Sequence, residues 1–232
     1  MNNPPVAEIV AIGTEILLGQ IADTNSQVLG KVLPEYGIHH YHRQVVGDNR
    51  KRIAEAIRLA LSRSDIVFTI GGLGPTEDDV TREGIGDAIS EELEIDEKVG
   101  ERLKRLFTQR NLPWTEAQLR QAYRPASAEI IENPNGSAPG LCCRKDGKVI
   151  LALPGPRFEF VPMVENSVRP ILAEFSSGNV LVSRAIKICG MGEAMVEESL
   201  RDLFHGTNPS IGIYAHPGEV ELRITASAVD SS

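Results

Sequence analysis

Residues 66–81 read Ile66-Val67-Phe68-Thr69-Ile70-Gly71-Gly72-Leu73-Gly74-Pro75-Thr76-Glu77-Asp78-Asp79-Val80-Thr81, and this stretch decides the fold. Its first five residues are apolar or β-branched without alternation, the pattern of a strand buried on both faces of a parallel sheet. The strand empties into three glycines within four residues, followed by Pro, Thr and three consecutive acids. Beyond them Val80, Ile85, Ala88 and Ile89 keep helical spacing. Glycines let backbone N–H groups come close to a ligand, and the N-terminus of the helix behind them favours anionic groups such as phosphate. Carboxylates beside such a cradle repel phosphate unless a divalent cation bridges the two sets of oxygens. By its chemistry the stretch is a phosphate-plus-metal site. It also fits an ordinary strand-to-helix turn whose acids complement the helix macrodipole, and the residue types alone leave both readings open.

The rest of the chain repeats the theme. Val6 to Ile12 reads as a strand ending in Gly13-Thr14-Glu15, with Glu15 either a solvated loop acid or part of a ligand site. Asp23 or Thr24 can cap a helix carrying Val28, Leu29, Val32, Leu33 and Tyr36, with Gly37 as its C-cap. A strand from Ile38 to Val46 contains His39, His40 and His42, which read as surface or half-buried polar residues rather than ligands. It closes on Gly47-Asp48-Asn49. Asp48 is either the cap of the helix Arg50 to Ser64 or a carboxylate aimed at the same crevice as Asp78 and Asp79. Asp96 to Arg110 has the spacing of an amphipathic helix, Trp114 reads as packing, and Thr115-Glu116 opens a shorter helix. The loop Glu132 to Gly140 is long and built of small residues, which asks for a function. Leu141 to Arg144 and Lys148 to Leu153 form a hairpin that runs into Pro154-Gly155-Pro156-Arg157, ahead of a helix from Phe158 to about Phe175. Ligands of open α/β sheets sit beyond the carboxyl ends of the strands, so three glycine-bearing strand ends predict one crevice.

From Ser176-Ser177-Gly178-Asn179 the character changes. Val180 to Ile188, Gly192 to Phe204, Ser210 to Ala215 and Glu219 to Ala228 read as a βαββ unit too small to bury a core alone. Ending at Val229-Asp230-Ser231-Ser232, directly after a strand, it reads as a truncation. A net charge of −8 and a pI near 5.2 argue against nucleic acid as the main partner. The three cysteines, with Cys142 and Cys143 adjacent, have neither disulfide nor zinc spacing and read as small hydrophobes in a reducing compartment. No apolar run approaches the ~20 residues of a membrane span, and the first dozen residues lack a signal peptide's pattern. The expectation is a cytoplasmic protein without a membrane partner.

Taken in order, Gly13-Thr14-Glu15-Ile16-Leu17-Leu18-Gly19, Gly47-Asp48, Gly71 through Thr81, Asn135-Gly136-Ser137-Ala138-Pro139-Gly140 and Leu153-Pro154-Gly155-Pro156 resemble the CinA (competence/damage-inducible) family. The resemblance implies an α/β fold: a three-layer α/β/α sandwich of the molybdopterin-binding (MoaB/MogA-like) type over residues 1–175, and a small α+β KH-like domain over 176–232. It implies a homodimer and metal-dependent hydrolysis of ADP-ribose, or a related nucleotide, to AMP and ribose 5-phosphate. Catalysis would fall to Asp79, Asp78 and Asp48. Asp78 and Asp79 would bind the divalent cation (Mg²⁺, Mn²⁺ or Co²⁺), which neutralises developing charge. The substrate-binding set would be Gly13, Thr14, Glu15, Asn25, Gly71, Gly72, Leu73, Gly74, Thr76, Asn135, Gly136, Gly140, Pro154, Gly155 and Pro156, with the pyrophosphate on the Gly71–Gly74 amides and the Thr76 hydroxyl. Two departures bear on this. Leu73 stands where the adenylyltransferases carry Thr, and no Gly-x-x-Gly clamp beyond Gly190-Met191-Gly192-Glu193 supports RNA binding. Competing readings are pterin-nucleotide binding or adenylyl transfer in molybdenum-cofactor synthesis, and a non-catalytic nucleotide sensor. Nicotinamide mononucleotide deamidation belongs to a further domain of longer members.

Overall fold

The computed structural model describes residues 4–176, 180–206 and 208–228. The chain divides into two compact units, one from the described residues of Met1–Leu33 with Ile38–Phe175, the other from those of Pro34–Gly37 with Ser176–Ser232. The boundary expected across Ser177-Gly178-Asn179, and the closing Val229 to Ser232, lie outside the described residues.

In the first unit the elements run β1 (Val6–Ile12), α1 (Thr14–Leu17), α2 (Asn25–Val32), β2 (His39–Val46), α3 (Arg50–Arg63), β3 (Ile66–Ile70), α4 (Thr81–Ile89), β4 (Leu93–Ile95), α5 (Glu97–Gln109), β5 (Tyr123–Pro125), β6 (Ala128–Ile131), β7 (Gly140–Lys145), β8 (Lys148–Leu153), α6 (Arg157–Met163) and α7 (Arg169–Phe175). A six-stranded mixed sheet has the order β2-β1-β3-β8-β7-β6. β2, β1, β3 and β8 are parallel, and β7 and β6 join antiparallel. Strand alternation sends Val10, Ile12, Val67, Ile150 and Ala152 to the face covered by Ile53, Ile57 and Ala60 of α3 and Ile85 of α4. The intervening Ile9, Ala11, Phe68 and Leu151 are equally buried and face the other way. β1, β3 and β8 are therefore apolar on both faces, apart from Glu8, Thr69 and Lys148, because both sheet faces are covered.

Several local expectations change. The helix from Asn25 stops at Val32 and tightens to a 3₁₀ turn over Leu33–Tyr36, because Pro34 has no N–H to continue it. Asp48 does not cap α3. Asn49 does, its side chain accepting the Arg52 amide at 3.1 Å, which leaves the Asp48 carboxylate free for other partners. The helix expected from Phe158 to Phe175 widens into a π turn at Val164–Val168, since Pro170 offers no N–H to the Asn166 carbonyl. The helix opened by Thr115-Glu116 is a 3₁₀ segment, Glu116–Ala122. The two-stranded sheet of β4 and β5 is too short to have a sequence signal. Trp114 packs edge-on to Phe107, as its setting implies.

In the second unit, β9 (Val180–Cys189), α8 (Glu193–Ser199), β10 (Ser210–His216) and β11 (Glu219–Ala228) make a three-stranded antiparallel sheet of order β10-β11-β9 with one helix. The helix expected to reach Phe204 ends at Ser199, and a 3₁₀ turn covers Arg201–Leu203.

At the amino end of the sheet, far along β1 from Ile12, Glu8 is 1 % exposed and lies against α3. Arg63 donates to both its oxygens, at 2.8 and 2.7 Å, and Gln44 donates to Oε1 at 2.8 Å. Burial pushes this carboxyl up, but the Arg63 and Gln44 bonds overcome that and hold it below the ordinary Glu value. A depressed carboxyl contributes stability that is present above its unfolded pKa and lost as pH falls through the folded one. Urea denaturation should therefore show a steeper acid-side loss in the wild type than in Glu8→Gln. Arg63→Met should cost about 3 kcal/mol at neutral pH, because it strands a buried charge.

Candidate phosphate-binding site

The carboxyl ends of β1, β3 and β8 meet around a cavity of about 760 Å³. The loop after β3 forms its floor, and its shape follows from two contacts that no side chain permits. Gly71 has φ +105°, and a Cβ there would lie 2.2 Å from the Ile12 carbonyl oxygen. Gly72 has φ +66°, and a Cβ there would lie 2.2 Å from the Thr81 hydroxyl. The loop is pinned from behind by the start of α4. The buried Thr81 donates its hydroxyl to Gly71 O at 2.8 Å and its amide to Gly72 O at 3.2 Å. Arg82, 2 % exposed, donates Nη2 to Leu73 O at 2.7 Å. In a trans peptide the C=O and the following N–H point oppositely. Drawing back three successive carbonyls therefore turns the N–H groups of Gly72, Leu73 and Gly74 away from Thr81 and Arg82, toward the cavity those residues line. Among the described residues these amides donate to nothing else. Such a row of amides is an anion nest. The Gly71 amide is not part of it, because it donates to Leu153 O at 2.9 Å, extending the β3–β8 ladder.

The acids follow at once. Thr76 Oγ1 lies 2.5 Å from Asp78 Oδ1 and 2.5 Å from Asp79 Oδ2, and the Thr76 amide donates to Asp79 Oδ2 at 2.9 Å. The Thr76 hydroxyl is thus engaged with the carboxylates rather than offered to a ligand, and it holds Asp78 below the usual carboxylate range. One hydroxyl proton serves only one of two flanking carboxylates, and with the Thr76 amide on Asp79 Oδ2 two donors face two full negative charges. Hard oxygen donors with that excess negative charge fit a divalent cation. Among the described residues, no group of three or more His, Cys, Asp and Glu is gathered closely enough to hold a metal ion. A cation here would complete its shell on the phosphate oxygens of a ligand, a habit of Mg²⁺.

Asp48, at the end of β2, lines the same cavity. Its Oδ2 accepts both the amide and the hydroxyl of Thr14, each at 2.8 Å, leaving Oδ1 unengaged among the described residues. Thr14 itself does not line the cavity and acts by fixing Asp48. Glu15 does line it, beside Gly13. Asn25 reaches across to donate to Gly155 O at 2.7 Å, tying α2 to the turn after β8, where Pro154, Gly155, Pro156 and Arg157 form a wall.

The small-residue loop contributes different residues from those its sequence nominates. Ser137 and Ala138 line the cavity, whereas Asn135, Gly136 and Gly140 do not. Asn135 donates to Phe158 O at 2.7 Å, and Gly140 begins β7, packed against Ala152 O and Met163. The organiser is Asn133, 3 % exposed, which the sequence reading passed over. Its Oδ1 accepts the amides of Asn135 and Gly136 at 3.1 and 2.9 Å, and its Nδ2 donates to Ala138 O at 2.8 Å and to Glu159 Oε2 at 2.6 Å. Glu159 and Asp23 line the cavity and were likewise missed. The Asx-turn pattern Asn133-Pro134-Asn135-Gly136 is the signal that could have found Asn133.

Two family models match the chain. "Probable molybdopterin binding domain" covers residues 8–174, and "Damage-inducible protein CinA KH domain" covers 183–232. The chain belongs to the CinA family. A competence-damage inducible protein of Caldicellulosiruptor bescii is 47 % identical over 95 % of this chain and 54 % of its own length. A CinA-like protein of Dictyoglomus thermophilum is 44 % identical over the same shares, 95 % and 54 %. The chain thus spans about half the length of the curated relatives it matches. A crystal structure of CinA from Thermoplasma acidophilum superposes with a TM-score of 0.67 at 37 % identity, covering 72 % of this chain and 98 % of that one. No helix among the described residues is long and apolar enough to cross a membrane.

The glycine contacts give a direct test by thermal unfolding. Gly71→Ala should cost about 3 kcal/mol from backbone strain and collision with Ile12 O. Gly155→Ala should change stability by about 0.5 kcal/mol or less, since its Cβ would meet only Gly71 Cα, at an ordinary 3.6 Å.

Proposed function

We propose that this CinA-family chain hydrolyses the pyrophosphate bond of ADP-ribose, or of a closely related nucleotide diphosphate, with a divalent cation. The observation that carries the reading is the free amide row of Gly72, Leu73 and Gly74 with the Asp78 and Asp79 carboxylates directly beside it. A site for a phosphate monoester alone gains nothing from adjacent carboxylates, whereas a cation-bridged pyrophosphate uses both. The cation, held by Asp78 and Asp79, would neutralise charge developing on the phosphoryl oxygens.

The other roles belong to the chain itself. The amide row seats one phosphoryl group and is already oriented, so little reorganisation is needed as negative charge builds up. Asp48 Oδ1 receives a proton from the water that attacks phosphorus as the bridging P–O bond breaks, giving AMP and ribose 5-phosphate. Thr14 holds Asp48 so that Oδ1, and not Oδ2, faces the reacting group. Glu15, Asn25, Gly155, Ser137 and Glu159 bound the space left for the nucleoside and the second ribose. The description of the matched family model favours a second reading, a pterin phosphate in the same cradle.

Chromatography of ADP-ribose incubated with the full chain should show AMP only with Mg²⁺, Mn²⁺ or Co²⁺ present. Asp79→Ala should abolish it, and Asp48→Asn should lower kcat by about 10²-fold, the usual contribution of a positioned base. A folded wild-type chain that releases no AMP with any of these cations, yet binds molybdopterin, would establish the second reading instead.

A further inference from the structure

The catalytic reading does not use Arg82, although among the fully buried side chains it is one of the largest, at 2 % exposure. It sits at the second position of α4 with no carboxylate within ion-pair distance among the described residues. Its guanidinium is spent on the glycine loop instead, with Nη2 on Leu73 O at 2.7 Å and Nη1 toward Gly74 O at 3.5 Å, and its Nε has no partner. A buried cation whose only hydrogen-bond partners are carbonyl groups is costly to maintain. Burial pushes the guanidinium down to about 10, against the pull of Glu83 and Asp79 and with a further push from Arg120. An aliphatic side chain would fill the space without that cost, so the charge asks for a role.

The loop supplies one. Arg82 is not among the residues that line the cavity, whereas Leu73 and Gly74 are, and Arg82 holds the Leu73 carbonyl. The contact that draws Leu73 C=O inward turns the Gly74 N–H outward, and the positive charge stands directly behind the amide row. The acids of the next turn that line the cavity, Asp78 and Asp79, set up a field that repels phosphate, and a cation behind the nest offsets it where the dielectric is low.

We infer that Arg82 is the positioning residue of the anion cradle, fixing the direction of the Gly74 amide and lending its buried charge, through the loop, to a phosphate or pyrophosphate group seated on the other side. This deepens the proposed function in one respect, the recognition of the diphosphate, and rests on the reading of the loop as an anion cradle. It needs no catalytic turnover. An anion in the nest makes the burial of Arg82 less costly, so binding and the Arg82 charge should be coupled in both directions.

The test uses the full chain and inorganic pyrophosphate without a divalent cation, so that Asp78 and Asp79 oppose binding to the same degree in every variant. Calorimetry should show pyrophosphate affinity falling in the order wild type, Arg82→Lys, Arg82→Met. The Met variant should be weaker by about 10-fold or more, the scale of a charge-assisted contact, and Lys should rescue part of the loss because it keeps the charge but not the planar fork. A purely structural arginine would give lower melting temperatures with the affinity of the folded protein unchanged, and that result overturns the inference. Should Arg82→Met fail to fold, the wild type decides by NMR. Pyrophosphate should shift the Gly72, Leu73 and Gly74 amides and the Arg82 Nε–H with a single saturation curve. Saturation elsewhere with Gly74 and Arg82 unmoved overturns it equally. Absence of AMP from ADP-ribose with pyrophosphate binding intact would remove the hydrolase reading and leave Arg82 in this role.

Discussion

Everything at the carboxyl edge of the sheet depends on one steric fact: the backbone at Gly71 lies against the Ile12 carbonyl with no room for a Cβ. β1 and β3 are neighbours, and this contact lets the chain leaving β3 turn back over the end of β1 instead of running on into solvent. Once that turn is made, the start of α4 lies beneath the loop, and Thr81 and Arg82 can take its carbonyls. Asp78 and Asp79 are then carried to the rim beside the end of β2, where Thr14 holds Asp48. The glycines are thus needed for the backbone's own packing before any ligand is considered.

The parallel strands were legible because both of their faces are covered, which leaves runs at Val6–Ile12 and Ile66–Ile70 that are apolar apart from Glu8 and Thr69. The three strand-end turns were legible for a related reason, since glycine and proline clusters mark where a buried strand must stop. The finer structure was not. Whether Asp48 or Asn49 caps α3 depends on which side chain Thr14 captures, a contact 34 residues away that no local pattern records. Nothing in the local sequence sets Arg82 apart from a solvent-facing charge of an amphipathic helix. Its burial follows from how far the loop folds back over it, and that is a property of the tertiary structure alone.

The acids beside the glycine loop posed a choice between cation ligands and ornaments of a helix N-terminus. The geometry bears on that choice through Thr76, whose hydroxyl lies within hydrogen-bond distance of two carboxylates and has a proton for only one. An acid serving only the macrodipole has no need of such crowding. The cavity thus pairs a donor-only floor with an acceptor-rich rim, and a ligand carrying both phosphate oxygens and hydroxyl groups is complementary to that division. The amino end of the sheet uses charge differently: the Glu8–Arg63–Gln44 cluster satisfies its polar atoms internally and fastens α3 to β1 and β2.

Asn133 carries one more consequence. Loops of glycine, alanine and serine are ordinarily the most mobile parts of a protein, and a ligand that orders them gives up binding energy in doing so. Here four hydrogen bonds from a single buried amide fix the Asn135, Gly136 and Ala138 backbone and the Glu159 carboxylate together. The wall therefore has small side chains, which leave room, and little conformational freedom left to lose. A molecule entering the cavity meets a surface whose entropy was surrendered when the chain folded.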